Sequence, residues 1–362
     1  MVDNLFCEAE RLRERSQYRE ALSLYRKVLK GYRESGNEEG LLDCLLSLGD
    51  TSRMTGAFVN ASDFYIRALS LGTQLRNRVV RADALVGLGL SKRALGEWQF
   101  ALRLFSDAGE IYKKISDTRG SAFVRWAEGG AFRVGGDLRN SFRSFKEAKR
   151  LFASLGDDRD AQKGVAYCLC GLGGVSRVAG RFADSMTYYN SANKLLSSLR
   201  DRFGIAYSHC GIGNAFRMKG DFSEAIKHLR RAETIYKSIG DVVSYSYTLW
   251  SIGMTHLMNR RFRRAEASFQ RASSQFIKTK DRRGTIYCRL GLGEMSYLKG
   301  DTGQAKKVLR SALKDSLKYR FAIETCHCRV LLCSVNSGVN DHGCYRAISS
   351  GLRFRGLPFN IP

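Results

Sequence analysis

Arg13, Arg53, Arg93, Arg133, Arg177 and Arg217 follow one another at intervals of 40 residues, with a single interval of 44. A guanidinium is a planar fork of donors that grips a carboxylate or phosphate with two parallel hydrogen bonds. Tyr167, Tyr207, Tyr247 and Tyr287 recur with the same interval of 40, and Trp126 and Trp250 stand three residues after Phe123 and Tyr247. Tyrosine and tryptophan join apolar area to one polar atom, the mixture that interfaces use. Such residues suit recognition of an anionic partner, not the making of bonds.

Residues that could make bonds are present without the spacing to do so. His209, His228, His256, His327 and His342 fall at unrelated places, and no nucleophile, base and orienting acid can be assembled from them. Cys326, His327, Cys328, Cys333, His342 and Cys344 hint at zinc. Yet neighbouring ligands there would lie on one helix and point apart, whereas zinc pairs usually sit on turns. Glycine-rich strings such as GLGLSKRALG lack the GK[ST] ending of a phosphate loop. The expectation is a protein without catalytic residues, metal or cofactor.

The recurring arginines imply recurring elements to hold them. Gly49, Gly89, Gly129, Gly173, Gly213, Gly253 and Gly293 share the repeat. Seven residues beyond each comes Gly56, Gly96, Gly136, Gly180, Gly220 or Gly300, with Arg260 once in their place. Small residues (Ala61, Ala101, Ser141, Ser185, Ala225, Ala265, Ala305) and large ones (Tyr65, Phe105, Phe145, Tyr189, Leu229, Phe269, Leu309) keep the same register. Only Pro358 and Pro362 interrupt the supply of backbone donors, and both are in the last five residues. Each unit therefore reads as two helices around a tight turn at the second glycine. Asp201, Asp241 and Asp281 are placed as N-caps of the following unit. A divergent first unit contains Ala9, Ser16, Ala21 and Val28, and a decayed last one begins near Ile323.

The run GIGNAFRMKGDFSEAIKHLRRAETIYKSIGD, from Gly211 to Asp241, resembles a tetratricopeptide (TPR) repeat of the 40-residue kind. Similar repeats occur in Leu-Gly-Asn-rich adaptors, kinesin light chains and some bacterial regulators. The resemblance implies an all-α, right-handed α-solenoid of stacked antiparallel helix hairpins over residues 1–354, with a tail at 355–362. It also implies that the first helix of each hairpin lines a concave groove. Counting from the first glycine, places −6, −3, +1 and +4 share one helical face, which would look into that groove. Arginine occupies +4 through Arg217, then yields to Leu257 and Tyr297; Asp3, Asp43, Asp83 and Phe123 precede the tyrosines at −6. The resemblance gives Asn214 the role of holding a bound peptide's backbone. The partner-binding set so defined is Arg93, Arg133, Arg177, Arg217, Asn214, Tyr167, Tyr207, Tyr247, Tyr287, Trp126 and Trp250.

Two readings of the ladders compete. Glu10 with Arg13 and Asp50 with Arg53 have the i, i+3 spacing of bracing ion pairs. Gly130, Gly174 or Asn214 stands three residues before Arg133, Arg177 and Arg217, leaving them no local acid. Tyrosines at helical spacing serve packing as readily as binding. The net charge of +25 favours anionic partners. The first choice is an interaction scaffold or adaptor whose basic, Tyr-lined groove takes an acidic peptide. The alternative is a nucleic-acid-associated or regulatory sensor of TPR type, with runs such as RRFRR at 260–264 as contact points. No stretch reaches the roughly 18 apolar residues of a membrane span, and the charged first residues do not read as a secretory signal, so a cytoplasmic location is expected. Two irregularities are expected: at Glu128, which stands where other units have Leu or Ile, and near residues 157–164, where four residues are added.

Overall fold

A computed structural model describes residues 2–338, 341–353 and 358–362; residue 354 of the expected solenoid and residues 355–357 of the expected tail lie outside the described residues. Among these, the regular elements are helices paired as hairpins. The first helices of the units are α1 (Val2–Glu14), α3 (Glu38–Met54), α5 (Arg78–Ala94), α7 (Thr118–Gly135), α9 (Arg159–Val178), α11 (Arg202–Lys219), α13 (Val242–Met258), α15 (Arg282–Leu298) and α17 (Ala322–Ser337). Their partners are α2 (Tyr18–Ser35), α4 (Phe58–Gln74), α6 (Trp98–Lys114), α8 (Leu138–Ala153), α10 (Phe182–Ser198), α12 (Phe222–Ile239), α14 (Phe262–Lys278), α16 (Thr302–Lys318) and the short α18 (Gly343–Ala347). Each helix packs on the next, and each first helix also touches the first helix of the following unit. That is the contact pattern of an α-solenoid.

The turn glycines do what their spacing implies. Gly96 has φ +96° and Gly220 φ +87°, in the left-handed region that costs glycine nothing. Arg260 keeps the same turn with φ +53° at a non-glycine residue. The first glycines serve a different end, close packing. The Tyr189 ring is wedged between Gly173 of its own unit and Gly211 of the next. A β-carbon would come within 2.8 Å of the ring at the first and 2.2 Å at the second. Asp201, Asp241 and Asp281 cap α11, α13 and α15, accepting from Gly204 N at 2.7 Å, Ser244 N at 2.9 Å and Gly284 N at 2.8 Å.

Neither expected irregularity disrupts the stack. Glu128 lies within an unbroken α7 and pairs with Arg125 at 2.9 Å, which leaves its carboxylate at the edge of the core and not in it. The added residues are absorbed by a longer connection through Gly156 and a 20-residue α9 capped by Asp158.

The superhelix closes on itself. The turns of early units meet late ones: Trp98 Nε1 donates to the Tyr319 carbonyl at 3.3 Å and Arg320 donates to Gln99 at 3.1 Å. Gly351 N donates to the Ala179 carbonyl at 3.0 Å, Ser350 Oγ donates to the Val178 carbonyl at 2.7 Å, and α17 packs on α7. Successive turns of the coil therefore touch.

Candidate functional site

The six arginines at place +4 divide into three kinds. Arg13 Nε donates to Glu10 at 3.1 Å, and that carboxylate also accepts from Tyr25 and Ser47 hydroxyls. Arg53 reaches Asp50 at 3.5 Å, which accepts from the Tyr65 hydroxyl at 2.7 Å. These two are braces, as their spacing allowed. A cleft of about 360 Å³ opens beside them, bordered by Arg13, Asp50, Arg53, Asp83 and Phe123.

Arg93, Arg133 and Arg177 are different. No ion pair joins them to an acid among the described residues. Each of the first two lies across the glycine at place +1 of the next unit. A β-carbon on Gly130 would stand 2.1 Å from Arg93 Nη1, and one on Gly174 would stand 2.3 Å from Arg133 Nη1. Burial pulls the Arg93 guanidinium down to about 10, and Arg133 and Arg53 add to the effect. Tyr207 and Arg283, from units much further along, also lie within electrostatic range of Arg93. The Nε atoms of Arg133 and Arg177, like that of Arg53, are buried without a hydrogen-bond partner among the described residues. A polar group in that condition costs about 1–3 kcal/mol.

Arg217 is the third kind, and the expectation that it meets an outside carboxylate is corrected by its surroundings. It is fully buried, donating to Asn214 Oδ1 from Nη2 at 2.9 Å and from Nε at 3.3 Å. Asn214 in turn spends its Nδ2 on the Cys210 carbonyl at 3.0 Å, so its expected hold on a peptide backbone is taken up internally. The guanidinium also faces the Trp250 ring at 5.6 Å. Burial, then the nearby Arg177, lowers Arg217 to about 9.

Its remaining partner comes from the far end of the sequence. Asn360 Oδ1 accepts from Arg217 Nη1, and Asn360 Nδ2 donates to the Arg217 carbonyl at 2.7 Å. The preceding amide, Phe359 N, donates to Glu294 Oε1. Phe359 and Ile361 are each 1% exposed, in a cluster with Trp250, Leu257 and Tyr287. Residues 358–362 thus lie along the first-helix face of the later units. Burial lifts the Glu294 carboxyl to about 8, against the pull of the Phe359 amide. Glu294 and Asn360 are functional candidates that sequence reasoning passed over. The signal for Glu294 was an acid at place +1, where Gly130, Gly174 and Asn214 stand in other units.

The aromatic residues are mostly committed to packing. The Tyr167 hydroxyl donates to Asp201 at 3.1 Å and the Tyr247 hydroxyl to Asp281 at 3.2 Å, each reaching the N-cap of the next unit. Trp126 Nε1 donates to the Tyr167 carbonyl at 3.4 Å, and Trp250 Nε1 to the Tyr287 carbonyl at 3.0 Å. Tyr287 is buried and accepts from Arg283, which forms a 2.6 Å ion pair with the buried Glu324. Tyr207, half-buried between units, packs against Phe203. The structure brings His209 and His228 together, Nδ1 to Nδ1 at 2.9 Å, a proximity their repeat places did not announce.

No family model and no curated protein matches this chain. Solved structures do. The chain is similar to the Rap conjugation gene regulator of the plasmid pLS20, solved with a Phr peptide, at 15% identity and TM-score 0.67 over 88% of this chain and 96% of that one. It is similar to a Rap protein complexed with competence and sporulation factor, at 13% identity and TM-score 0.60 over 93% and 98%. NprR in complex with its cognate peptide NprX gives 14% identity and TM-score 0.60 over 96% and 98%. At such identities the likeness is one of fold: a right-handed, TPR-like α-solenoid.

Proposed function

We propose that this protein is a peptide-binding interaction scaffold that takes an acidic, extended partner segment against Arg93, Arg133 and Arg177. The observation that carries the reading is the row of three interior guanidiniums with no acid of their own. A carboxylate there gains charge-assisted hydrogen bonds of roughly 1.5–3 kcal/mol each. Beside Arg93 it also offsets the repulsion from Arg133 and Arg53. Tyr167, Tyr207, Tyr247, Tyr287, Trp126 and Trp250 stand behind this trough, tying successive units together and so holding the arginines in register. The three structural neighbours named above are each described with a bound peptide or factor, which supports a regulatory, peptide-receiving role on this fold.

The test is fluorescence anisotropy with a labelled Asp- and Glu-rich decapeptide, a Lys-rich counterpart and a single-stranded oligonucleotide. The acidic peptide is expected to bind, and the double variant Arg133→Ala, Arg177→Ala to weaken it by at least about tenfold with helicity unchanged. Equal binding by the double variant sinks the proposal. Preference for the oligonucleotide, with a steep loss on adding salt, would replace it by the nucleic-acid reading.

A further inference from the structure

We infer that the later end of the trough, around Arg217, Trp250 and Glu294, is a separate side-chain-reading subsite for an asparagine flanked by apolar residues. Residues 358–362 are its resident occupant, and a partner segment of the same chemistry displaces them. The inference rests on reading the trough as a peptide-binding groove, and it adds the class of ligand for this end.

The chemistry is set by three contacts. Arg217 presents a donor, Nη1, and an acceptor, its own carbonyl, and Asn360 answers both with one carboxamide. An aspartate at that place satisfies only the guanidinium and leaves the carbonyl without its donor; a leucine satisfies neither. Glu294 Oε1 takes the N–H of the residue before the asparagine, fixing the direction and register of the segment. Phe359 and Ile361, on either side, enter the apolar cluster around Trp250, Leu257 and Tyr287. Two features mark the place as a site beyond a packing contact. Arg217 is a buried cation whose bonds in this structure go to amide oxygens of Asn214 and Asn360, with no carboxylate among them. Glu294 is a fully buried acid whose second oxygen, Oε2, has no partner among the described residues. A core that needed only filling would use neither group. The change of ligand class along the trough follows its lining, for place +4 turns from arginine to Leu257 and Tyr297 beyond Arg217.

The resident segment and an incoming one compete for the same atoms, so occupancy in cis and in trans exclude each other. The measurement uses a labelled synthetic peptide of residues 357–362, LPFNIP, against the full chain, against the chain lacking residues 358–362, and against the full-length variant Asn360→Ala. The last is included in case the shortened chain does not fold. The peptide is expected to bind the shortened chain, or Asn360→Ala, at least about tenfold more tightly than the full chain. A peptide with alanine for asparagine should lose about ten- to a hundredfold. No binding to either altered chain, with helicity intact, overturns the inference. So does equal binding to the full chain, which would locate the peptide elsewhere, or a concentration-dependent dimer of the altered chains that excludes it. The Arg133→Ala, Arg177→Ala double variant separates this outcome from the previous one. Combined with Asn360→Ala, it is expected to lose the acidic decapeptide and keep the asparagine peptide.

Discussion

The Arg133 guanidinium rests on the backbone of Gly174 in the following unit, so near that a β-carbon there would stand 2.3 Å from Nη1. The glycine is a seat for the cation. The clash it avoids is with the far end of a flexible side chain, whereas Gly211 avoids a clash at 2.2 Å with the buried Tyr189 ring.

The two glycines should therefore respond differently to alanine. Gly174→Ala should leave thermal stability unchanged or raise it, since alanine favours a helix interior by up to about 1 kcal/mol. It should weaken binding of the acidic decapeptide by moving the guanidinium. Gly211→Ala should cost roughly 1–3 kcal/mol by overpacking, with little effect on the acidic peptide in the fraction that folds. Thermal melts and anisotropy on the two variants check both halves.

Tyr167 and Tyr247 each tie one unit to the N-cap aspartate of the next. Removing either hydroxyl, as Tyr167→Phe or Tyr247→Phe, should lower stability by about 0.5–1.5 kcal/mol in urea unfolding. Binding of the acidic decapeptide should stay within about twofold of the parent. A larger binding loss without a stability loss would return the tyrosines to the partner's side.

Arg283 and Glu324 form a buried ion pair at 2.6 Å. Removing one partner, as in Arg283→Met, strands the other charge and should cost about 3–5 kcal/mol; Arg283→Met with Glu324→Leu should recover much of it. A double-mutant cycle in denaturant measures the coupling.

Glu294 sets a pH dependence. Its folded carboxyl titrates at about 8, against an unfolded value of 4.5, so the folded state holds a proton that the unfolded state has lost between those values. Stability is then full below pH 4.5, declines above it, and is lost as pH passes 8, by a few kcal/mol at most. Glu294→Gln keeps an oxygen for the Phe359 amide and cannot ionise. The difference in melting temperature between parent and variant should grow from pH 5 to about pH 8 in the variant's favour. A difference that stays flat would mean that Glu294 titrates normally.

Much of the fold was legible because it is local. The turn glycines, the paired ring and glycine positions, and Asp201, Asp241 and Asp281 as caps all act within one unit or between neighbours. The division of the arginines was partly legible too, since the i, i+3 acids of Arg13 and Arg53 could be read directly. The tyrosines were ambiguous, because a ring at place −6 has the same spacing whether it faces a ligand or the next unit's cap. Glu128 was misjudged because a helix edge admits an acid that a neighbouring Arg125 can pair. The contact of Arg217 with Asn360 was not legible at all. It spans 143 residues and depends on the summed rotation of many units, which no local pattern states.

The touching turns of the coil carry a mechanical consequence. An open stack of repeats melts piecemeal, because each unit leans only on its neighbours. Here the bonds from Trp98 to Tyr319 and from Gly351 to Ala179 clasp early units to late ones. Early and late units are therefore coupled directly, so unfolding of one end is expected to loosen the other, and the chain should melt more cooperatively than an open stack of the same length.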